Sequence, residues 1–263
     1  MIWPFSYNKN KQPRDAHRTC GLYDTHSHLL WGLDDGARSQ DESVAWMERY
    51  AALGYRGVMV TPHNNHHMFP TPNAADVKNK LKALASQSAR TGVQLRTGAE
   101  IMCVGDYLND IREGRYFSAG NAFLVEFQNH PGALSAAVER VLFKTRMEGI
   151  TLILAHPERY VDIQINPEIA TSLRAKGMLM QINLGSLVGR YGRRVQSLAW
   201  EFVKHDIADI AATDAHRLQD FDMVSLALDE LEWYDPQRFE TLVSSNPRLI
   251  FDEMVEHITD MPG

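Results

Sequence analysis

The stretch that decides the fold is LYDTHSHLLWGLDDGARS, residues 22–39, where a short apolar run leads into two histidines and then into two aspartates and a glycine. A surface loop has no need of His26 and His28 so close to Asp34 and Asp35. Side chains at positions i and i+2 of a strand point to the same side. The stretch therefore predicts a strand whose end presents two imidazoles together.

Six further apolar, β-branched-rich runs follow, and they alternate with longer segments of helical periodicity. This alternation is typical of βα units with a parallel sheet. The seven predicted strands are residues 22–28, 57–63, 93–100, 122–127, 151–158, 178–183 and 208–216. The sequence thus predicts an α/β protein.

The helical segments have recognisable starts and stops. Ser39 and Glu42 have the spacing of a capping box, and Gly54 lies where the residue after a helix C-terminus is expected. Apolar spacing predicts further helices over 77–84 before Gly92, 134–141 before Gly149, 169–173 before Gly177, 195–202 and 222–234. After the last helix the chain is expected to pass Pro236 into a tail.

The sequence predicts one domain, although length alone does not choose between one domain and two. The chain has 263 residues, 44% of them hydrophobic, which is enough for one large core, and no repeat or Gly/Ser linker marks a boundary. We predict a flexible N-terminal arm over residues 1–21 and a single barrel domain over 22–263. The basic residues of the arm fit a solvated tail, with contact to a partner or a membrane surface as the alternative.

Several classes of protein are excluded by the same numbers. The net charge of −6 argues against nucleic-acid binding, because phosphate contacts need clustered Lys and Arg. The sequence contains neither an apolar run of transmembrane length nor a secretory signal. Two cysteines, Cys20 and Cys103, are too few for a disulfide framework. We therefore expect a cytoplasmic protein with free thiols and no transmembrane segment.

The C-terminal ends of the predicted strands are rich in residues that can bind metals or transfer protons. Six of the seven runs end in His, Asp or Glu, although the chain has only 33 Asp and Glu and 11 His among its 263 residues. The exception is the sixth run, which ends in Asn183. The terminal residues are His26, His28, His63, Glu100, Glu126, His156, Asp214 and His216. In a parallel barrel all strand C-termini meet on one face, so these side chains are predicted to form one site.

Imidazole and carboxylate groups together suit Zn, Mn and Fe. With Asp35 added there are nine candidate ligands, whereas one metal needs only about three or four. Nine ligands therefore imply two or three ions, which Glu100 could bridge. Ions about 3.5–4 Å apart can hold both the attacking and the leaving oxygen of a phosphoryl displacement.

These residues carry a resemblance. The motifs DTHSHLLWGLDDGARS, VMVTPHN, TGAEI, LVEF, LAHPERY, QINLGSLVGRYG and AATDAH, in this order, resemble the PHP (polymerase and histidinol phosphatase) superfamily. The particular likeness is to the bacterial metal-dependent protein-tyrosine phosphatases of capsule and exopolysaccharide loci, the CpsB/CapC family. It covers roughly residues 22–250. The H-x-H start is shared with other metallohydrolases, whereas AHPERY separates this branch from its relatives.

The resemblance implies a distorted TIM-like (β/α)7 barrel of the PHP type with three divalent metal ions. Mn²⁺ is the expected metal, with Fe or Zn as alternatives. Carried over by motif, the first ion would bind His26, His28, Glu100 and Asp214. The second would bind Glu100, Glu126 and His156, and the third Asp35, His63 and His216.

The resemblance also implies a reaction. Arg159 of HPERY matches the family's phosphate-binding arginine, and a second arginine is either Arg217, which we prefer slightly, or Arg190. A metal-bound hydroxide would attack phosphorus, with Glu100 bridging the ions. The implied substrate is phosphotyrosine in the tail of a bacterial tyrosine autokinase that controls polysaccharide export. The oligomeric state is left open, including a homo-oligomer.

Rival functions stay open at this point. One is a small-molecule PHP phosphomonoesterase such as histidinol-phosphate phosphatase. Another is an amidohydrolase, although strands three and four end in glutamate where that class often has a lysine. A third is a binding module with a decayed site, although no ligand is missing. Neither Cys20 nor Cys103 begins the C-x5-R loop of a thiol phosphatase. His66, His67 and His130 fit no ligand position and are predicted to be surface or loop residues.

Overall fold

Parallel strands form the wall of the molecule in a computed structural model, which describes residues 20–105, 107–118, 120–134 and 136–253. Every strand pair in these ranges is parallel. The strands are β1 (Leu22–Asp24), β2 (Tyr55–Val60), β3 (His63–Asn64), β4 (Gln94–Thr97), β5 (Glu100–Met102), β6 (Ala122–Glu126), β7 (Thr151–Ala155), β8 (Leu179–Asn183) and β9 (Ile210–Ala212).

The strands close into a barrel in chain order. One sheet has the order β1-β2-β4 and the other β3-β5-β6-β7-β8-β9. The two are continuous, because β2 and β3 belong to the second predicted run, and β4 and β5 to the third. A parallel bridge between Ser27 and Ala215 joins the first run to the seventh and closes the ring. The predicted (β/α)7 barrel is therefore confirmed.

The observed strands correct several predicted bounds. The fifth ends at Ala155 rather than at residue 158, and the seventh is Ile210–Ala212 rather than 208–216. The first three runs differ more. The first ends at Asp24 rather than at residue 28, and the second and third are each interrupted. The second breaks next to Pro62, which has no N–H to donate to a ladder. The third breaks at Gly98, where an added Cβ would lie only 3.0 Å from Cγ2 of Thr61. Pairing continues past both breaks, because the Gly98 N–H donates to Val60 O at 2.8 Å.

Helices follow most of the strands, as the periodicity predicts. The main ones are α1 (Gln40–Ala52), α2 (Ala74–Ala83), α3 (Ala85–Thr91), α4 (Tyr107–Arg112), α5 (Ala136–Met147), α6 (Val161–Ile165), α7 (Glu168–Ala175), α8 (Leu184–Leu187), α9 (Arg193–Lys204) and α10 (Asp220–Tyr234). The Ser39 hydroxyl accepts from the Glu42 N–H at 3.2 Å, and Gly54 adopts φ +92° directly after the helix. Both predicted signals at the ends of α1 are confirmed.

The chain after Pro236 is a correction to the sequence prediction. The expected tail is helical: α11 (Pro236–Glu240), a π-helical turn (Thr241–Ser245) and α12 (Asn246–Phe251) follow one another. Ile250 and Phe251 of α12 are buried and pack against Met59 of β2. The segment is therefore part of the core.

Two apolar clusters lie on opposite sides of the strands. Phe123 and Val125 of β6 belong to the larger cluster, which contains the buried faces of the helices. Ala122 and Leu124, which alternate with them, belong to a smaller cluster with residues of β2, β7, β8, β9 and α12. Alternate residues of a strand face opposite sides, so the smaller cluster fills the barrel interior. The next interior position of β6 is Glu126, at the C-terminal mouth.

The predicted division into an arm and a barrel stays a prediction, because residues 1–19 and 254–263 lie outside the described residues. Within the part of the chain that is described, no helix is both long enough and apolar enough to cross a membrane.

Candidate metal centre

The nine predicted ligands come together at the C-terminal mouth of the barrel. Their imidazole nitrogens and carboxylate oxygens form overlapping groups whose ligand atoms lie within 4.8 Å of one another. The groups made of predicted ligands are His26, His28 and Asp214; Glu100, Glu126 and His156; and His28, Asp35, His63 and His216. They correspond closely to the three ligand sets that the motifs imply.

The first group lies deepest. Nε2 of His26 is 3.3 Å from Nε2 of His28 and 3.3 Å from Oδ1 of Asp214. Oε2 of Glu100 completes the group, at 3.2 Å from His26 and 3.4 Å from His28. All four side chains are buried. Four potential ligand atoms therefore lie close together in a buried position that is shielded from solvent.

The second group shares Glu100 with the first. Its Oε1 lies 3.0 Å from Nε2 of His156, whereas its Oε2 faces the two histidines of the first group. Glu126, the last residue of β6, offers an oxygen within 4.8 Å of ligand atoms of both His156 and Glu100. Glu100 is thus placed with one oxygen toward each group, which is the geometry of a bridging carboxylate.

The third group lies nearest the solvent. Oδ1 of Asp35 is 3.3 Å from Nε2 of His216 and 3.6 Å from Nε2 of His63. Half of the Asp35 side chain is exposed, in contrast to the buried carboxylates of the other groups. His63 turns its other nitrogen, Nδ1, toward Oε2 of Glu100 at 3.0 Å. His63 therefore lies between the third group and Glu100.

Several buried atoms at this mouth have no hydrogen-bond partner: His63 Nδ1, Glu100 Oε2, Glu126 Oε1 and His156 Nδ1. Buried polar atoms in native proteins almost always have a partner, and an unsatisfied one costs about 1–3 kcal/mol. A divalent cation would satisfy the carboxylate oxygens and the free imidazole nitrogens at once. The residues present therefore fit a metal centre of mixed nitrogen and oxygen donors.

The pKa values show how strongly the groups depend on one another without an ion. Burial disfavours the charged form of Glu100, but the charges of His26 and His63 outweigh it and lower its pKa well below the usual range. Burial also works against protonated His63, yet the carboxylates of Glu100 and Asp35 raise its pKa to about 11. The carboxylates and imidazoles of the three groups therefore interact strongly with one another.

Two of the candidate ligands have strained backbone. His156 has φ +41° and Asp214 has φ +46°, the left-handed region that non-glycine residues rarely adopt. Their N–H groups are fixed by neighbouring backbone, because His156 donates to Gln181 O of β8 and Asp214 to His26 O. Such strain clusters at functional sites, where the surrounding structure enforces it.

The arginine of the HPERY motif is also at the mouth. Nη1 of Arg159 donates to Oδ2 of Asp214 at 3.1 Å, and about a third of the side chain is exposed. It makes no ion pair with Glu158, whose carboxylate instead accepts from Ser186 and from the Asn183 N–H. Arg159 therefore presents a cation beside the candidate metal groups.

The amino-acid sequence matches a known protein family over the part of the chain that contains this cluster. The family described as capsular polysaccharide synthesis, CpsB/CapC, matches residues 22–251. The chain belongs to the CpsB/CapC family.

Relatives of this CpsB/CapC chain are named as phosphatases. It is 27% identical over 203 residues to the tyrosine-protein phosphatase YwqE of Bacillus subtilis, a match that covers 75% of this chain and 78% of YwqE. One crystal structure from a study of YwqE and of Streptococcus pneumoniae CpsB, described as unique metal-dependent tyrosine phosphatases, superposes with a TM-score of 0.79. That match is 25% identical and covers 88% of this chain and 95% of the other.

A more distant likeness shows the fold alone. Histidinol phosphate phosphatase from Lactococcus lactis superposes with a TM-score of 0.51 at 11% identity, covering 80% of the CpsB/CapC chain and 93% of its own.

Asp34 is a residue of the CpsB/CapC centre that the sequence analysis did not assign. Its Oδ2 accepts from Nδ1 of His28 at 2.7 Å and from the His63 N–H at 3.1 Å. A carboxylate on the far nitrogen of a histidine orients the ring and leaves Nε2 for a metal. The next residue but one, Gly36, approaches so closely that an added Cβ would lie 2.1 Å from His28 O. The paired aspartates and the glycine of DDGA were the signal.

Gln181 is a second unassigned residue. Its side-chain amide lies 2.8 Å from Nδ1 of His26 and accepts from the Thr25 hydroxyl at 2.8 Å. Gln181 and Asn183 lie on the same side of β8, two residues apart, and both are fully buried. Asn183 donates to Oδ2 of Asp214 at 2.6 Å. Two polar residues spaced i and i+2 in an otherwise apolar run are the signal that could have found them.

His66 lies closer to the centre than predicted. It forms a further group with His63 and Glu126 whose ligand atoms are within 4.8 Å of one another. Its Nδ1 accepts from the Met68 N–H, and its ring packs against those of His63 and Phe69. The loop position is confirmed, but the conclusion that His66 fits no ligand position is wrong on geometry.

The two candidates for a second phosphate-binding arginine differ in their surroundings. The Arg217 side chain is exposed. The backbone N–H of Arg217 donates to Oδ2 of Asp220 at 3.0 Å. Arg190 is half-buried, and its Nη1 lies 2.6 Å from Oδ1 of the same aspartate.

Proposed function

We propose that this chain is a metal-dependent protein-tyrosine phosphatase, a phosphoric monoester hydrolase. The observation that carries the proposal is the cluster itself: three groups of ligand atoms meet around Glu100, contain buried atoms without hydrogen-bond partners, and lie beside the Arg159 guanidinium. The named activity of YwqE, at 27% identity, supports the substrate class.

We propose that the centre holds three divalent ions, with Mn²⁺ as the native metal and Fe or Zn as alternatives. The ligands would be His26, His28, Glu100 and Asp214 for one, Glu100, Glu126 and His156 for another, and Asp35, His63 and His216 for the third. When bound, such ions polarise phosphoryl oxygens and lower the pKa of coordinated water. Ligand type alone does not select among these metals, so the choice needs elemental analysis.

The protein's own contribution is to position the ester. Arg159 can offer two parallel N–H groups to two phosphate oxygens, since a guanidinium is a planar fork. Its contact with Asp214 holds it at the edge of the metal groups. Charge that develops on the equatorial oxygens during transfer would be stabilised there.

No side chain is needed to protonate the leaving group. Tyrosine has a pKa near 10, so its oxygen departs with less protonation than an alkyl alcohol requires. A thiol mechanism finds no support either, because burial raises the pKa of Cys103 and keeps it neutral. The centre therefore suits an aryl phosphate and direct hydrolysis.

The proposed partner is a phosphotyrosine protein, in particular the tail of a bacterial tyrosine autokinase that controls capsular or exopolysaccharide synthesis, in the cytoplasm. The capsular description of the CpsB/CapC family supports this process. Nucleic acid is no part of the proposal, given the net charge of −6.

The test compares substrates and metals together. Protein freed of metal is reloaded with Mn, Fe, Co or Zn, its metal content is measured, and turnover of a phosphotyrosine peptide is compared with that of histidinol phosphate. We expect about three ions per chain and a clear preference for the peptide. A preference for histidinol phosphate would replace this proposal with the small-molecule phosphomonoesterase, and a single ion per chain would refute the trinuclear centre.

The role of Arg159 has its own variant. Arg159→Ala should keep its metal but lose about 2–4 kcal/mol of transition-state stabilisation, measured as kcat/KM for the peptide. The matched control is Arg193→Ala, an exposed arginine at the start of α9, which should behave as wild type. Unchanged kcat/KM in Arg159→Ala at full metal content would contradict the role.

A further inference from the structure

His66, in the loop after β3, lies beside the metal groups but belongs to none of the three proposed ligand sets. One of its ring nitrogens lies within 4.8 Å of ligand atoms of both His63 and Glu126. Resting on the proposed function, we propose that His66 is an additional protein ligand of the centre and binds the same ion as Glu126. The protein ligands of that ion would then be His66, Glu100, Glu126 and His156.

The atoms next to His66 are ready to receive a cation. Oε1 of Glu126 and Nδ1 of His63 lie 3.4 Å apart in buried side chains, and neither atom makes a hydrogen bond within the described residues. On His66 itself, Nδ1 accepts from the Met68 N–H at 3.2 Å, which leaves Nε2 for a metal. Two ligand atoms that bind one ion at about 2.0–2.2 Å are at most about 4.4 Å apart, so the observed separations need at most a small adjustment.

The backbone holds His66 at this place. Asn65, which precedes it, has φ +56°, in the left-handed region that non-glycine residues rarely adopt. The Asn65 side-chain amide donates to Met102 O and to Val104 O, both at 3.0 Å. Met102 ends β5, the strand that Glu100 begins. The start of the loop is therefore fastened to the part of the chain that carries the bridging carboxylate.

Ring packing positions the imidazole further and also supplies the competing explanation. The His66 ring centroid lies 4.8 Å from that of His63 and 5.0 Å from that of Phe69. Phe69 in turn stacks on His63 at 5.1 Å, with an angle of 7° between the ring planes. A histidine could occupy this position as an aromatic ring alone, so ligation has to be separated from packing.

A ligand at His66 would change how open the ions are. Each protein ligand on an ion leaves one position fewer for water or for the substrate. The ion at Glu126 would therefore be the more enclosed one. The group around Asp35, whose side chain is half exposed, would be the one that is open to the substrate.

Three variants separate ligation from packing. His66→Phe keeps an aromatic ring next to Phe69 but has no ligand nitrogen, and His66→Ala lacks both. The matched control is His67→Ala. His67 is exposed, its ring contacts that of His66, and it belongs to none of the ligand groups in the part of the chain that the structure describes. Ligation predicts that both His66 variants lose metal affinity and that His67→Ala does not.

The experiment titrates metal-free protein with Co²⁺, followed by the visible absorption of the bound ion, and with Mn²⁺, followed by calorimetry. We expect one ion to bind about a hundredfold more weakly in both His66 variants, since the loss of a partner that only orients a ligand already costs about 10–100-fold. The Co²⁺ absorption should shift, because water replaces a nitrogen ligand. Added imidazole should restore the wild-type spectrum in His66→Ala.

Three results would overturn the assignment. Metal affinity of wild-type strength in His66→Phe would make the residue a packing ring. An equal loss of affinity in His67→Ala would mean that the loop as a whole is required, rather than one nitrogen. An unchanged Co²⁺ spectrum in His66→Ala would show that His66 does not bind the ion. Failure of the proposed function looks different, because wild-type protein would then bind its metals through His66 but hydrolyse no phosphotyrosine peptide.

Discussion

The two halves of the barrel support the same centre in different ways. In one half, β6 to β9 are unbroken, and a site residue is the last residue of the strand or follows it closely: Glu126 ends β6 and His156 follows β7. In the other half the first strand has only three residues and the next two runs are interrupted, and the site residues come after these points. His26 and His28 follow β1, and Glu100 begins β5 after the interruption at Gly98.

The broken half shows why regular strands are abandoned. Residues i and i+2 of a strand are about 6.6–6.8 Å apart along its axis, too far for two rings to meet head to head without bending. His26 and His28 nevertheless bring their Nε2 atoms to 3.3 Å, because the chain leaves the strand at Asp24. The two imidazole nitrogens thus converge at the expense of ladder hydrogen bonds.

Buried carboxylates replace the missing ladder. Asp24 is fully buried and accepts from the N–H groups of His26 and Thr213 and from the Tyr50 hydroxyl. Asp34 does the same for the His63 N–H. The broken half is therefore held by side chains directly beneath the ligands, whereas the unbroken half is held by strand pairing.

The largest effect is expected from Glu100, where the halves meet. Glu100→Gln removes the charge that faces His26 and His63 on one side and His156 on the other. We expect loss of at least one ion per chain and a fall in kcat of about a thousandfold or more, because a bridging ligand serves two ions. Elemental analysis and peptide turnover measure the two effects.

Glu126→Gln provides a comparison with Glu100→Gln from the unbroken half. Oε1 of Glu126 lies 3.4 Å from His63. We expect a smaller loss of metal than in Glu100→Gln. An exposed glutamate on α7, Glu168, provides the surface control. Equal losses in Glu100→Gln and Glu168→Gln would contradict the bridging geometry.

The sequence predicted the unbroken half and the meeting of the candidate ligands at one mouth well, for a physical reason. Strand C-termini of a parallel barrel share one face, so a polar residue that ends an apolar run is already placed. Interruptions of a strand are harder to predict, because hydrophobic periodicity indicates which side a residue faces but not where the hydrogen bonds between strands stop. Pro62 and Gly98 were visible signals, but Asp24 and Asp34 act through backbone N–H groups that no pattern of side chains reveals.

A second prediction compares one buried carboxylate from each half. Asp24→Ala leaves buried N–H groups of the broken half without acceptors, and we expect it to cost about 3 kcal/mol of unfolding free energy and to reduce bound metal. Asp209→Ala removes an acceptor of the Met180 N–H and the partner of Arg174, at the opposite end of the unbroken half. It should cost about 2 kcal/mol and leave metal content unchanged.

Denaturant unfolding and elemental analysis on the same preparations give both quantities. If Asp209→Ala loses as much metal as Asp24→Ala, the distinction between the halves fails. If neither loses metal, the carboxylate under His26 is structural only.

The pH dependence of the metal-free protein tests the broken half alone. The pKa of His63 is raised to about 11, so its protonated form stabilises the folded state. That stabilisation is complete below the unfolded pKa of about 6.5 and is lost as the pH rises toward 11. Between pH 6.5 and 9.5 we expect the stability of chelated protein to fall by about 4 kcal/mol and its unfolding temperature by roughly 8–16 °C.

Metal-loaded protein should not follow this curve, because cations replace the protons. His63→Gln should flatten the slope of the chelated protein, measured by differential scanning calorimetry at constant ionic strength. If the unfolding temperature of chelated protein falls equally with pH in the wild type and in His63→Gln, His63 is not the group responsible for the pH dependence.

The smallest effects are expected at two glycines, Gly98 at the break before β5 and Gly149 before β7. An alanine at Gly98 would press on Cγ2 of Thr61 at 3.0 Å and on Cε of Met59 at 3.1 Å, both parts of side chains that can shift by a few tenths of an ångström. Gly149, before β7, has φ +69° and open space around its missing Cβ, so alanine there costs backbone strain alone. Each variant should lose about 1 kcal/mol of stability. Gly98 lies two residues before Glu100, in the segment that leads to it, so of the two variants only Gly98→Ala should weaken metal binding. Equal metal affinity in the two variants would mean that the break at Gly98 is incidental to the centre.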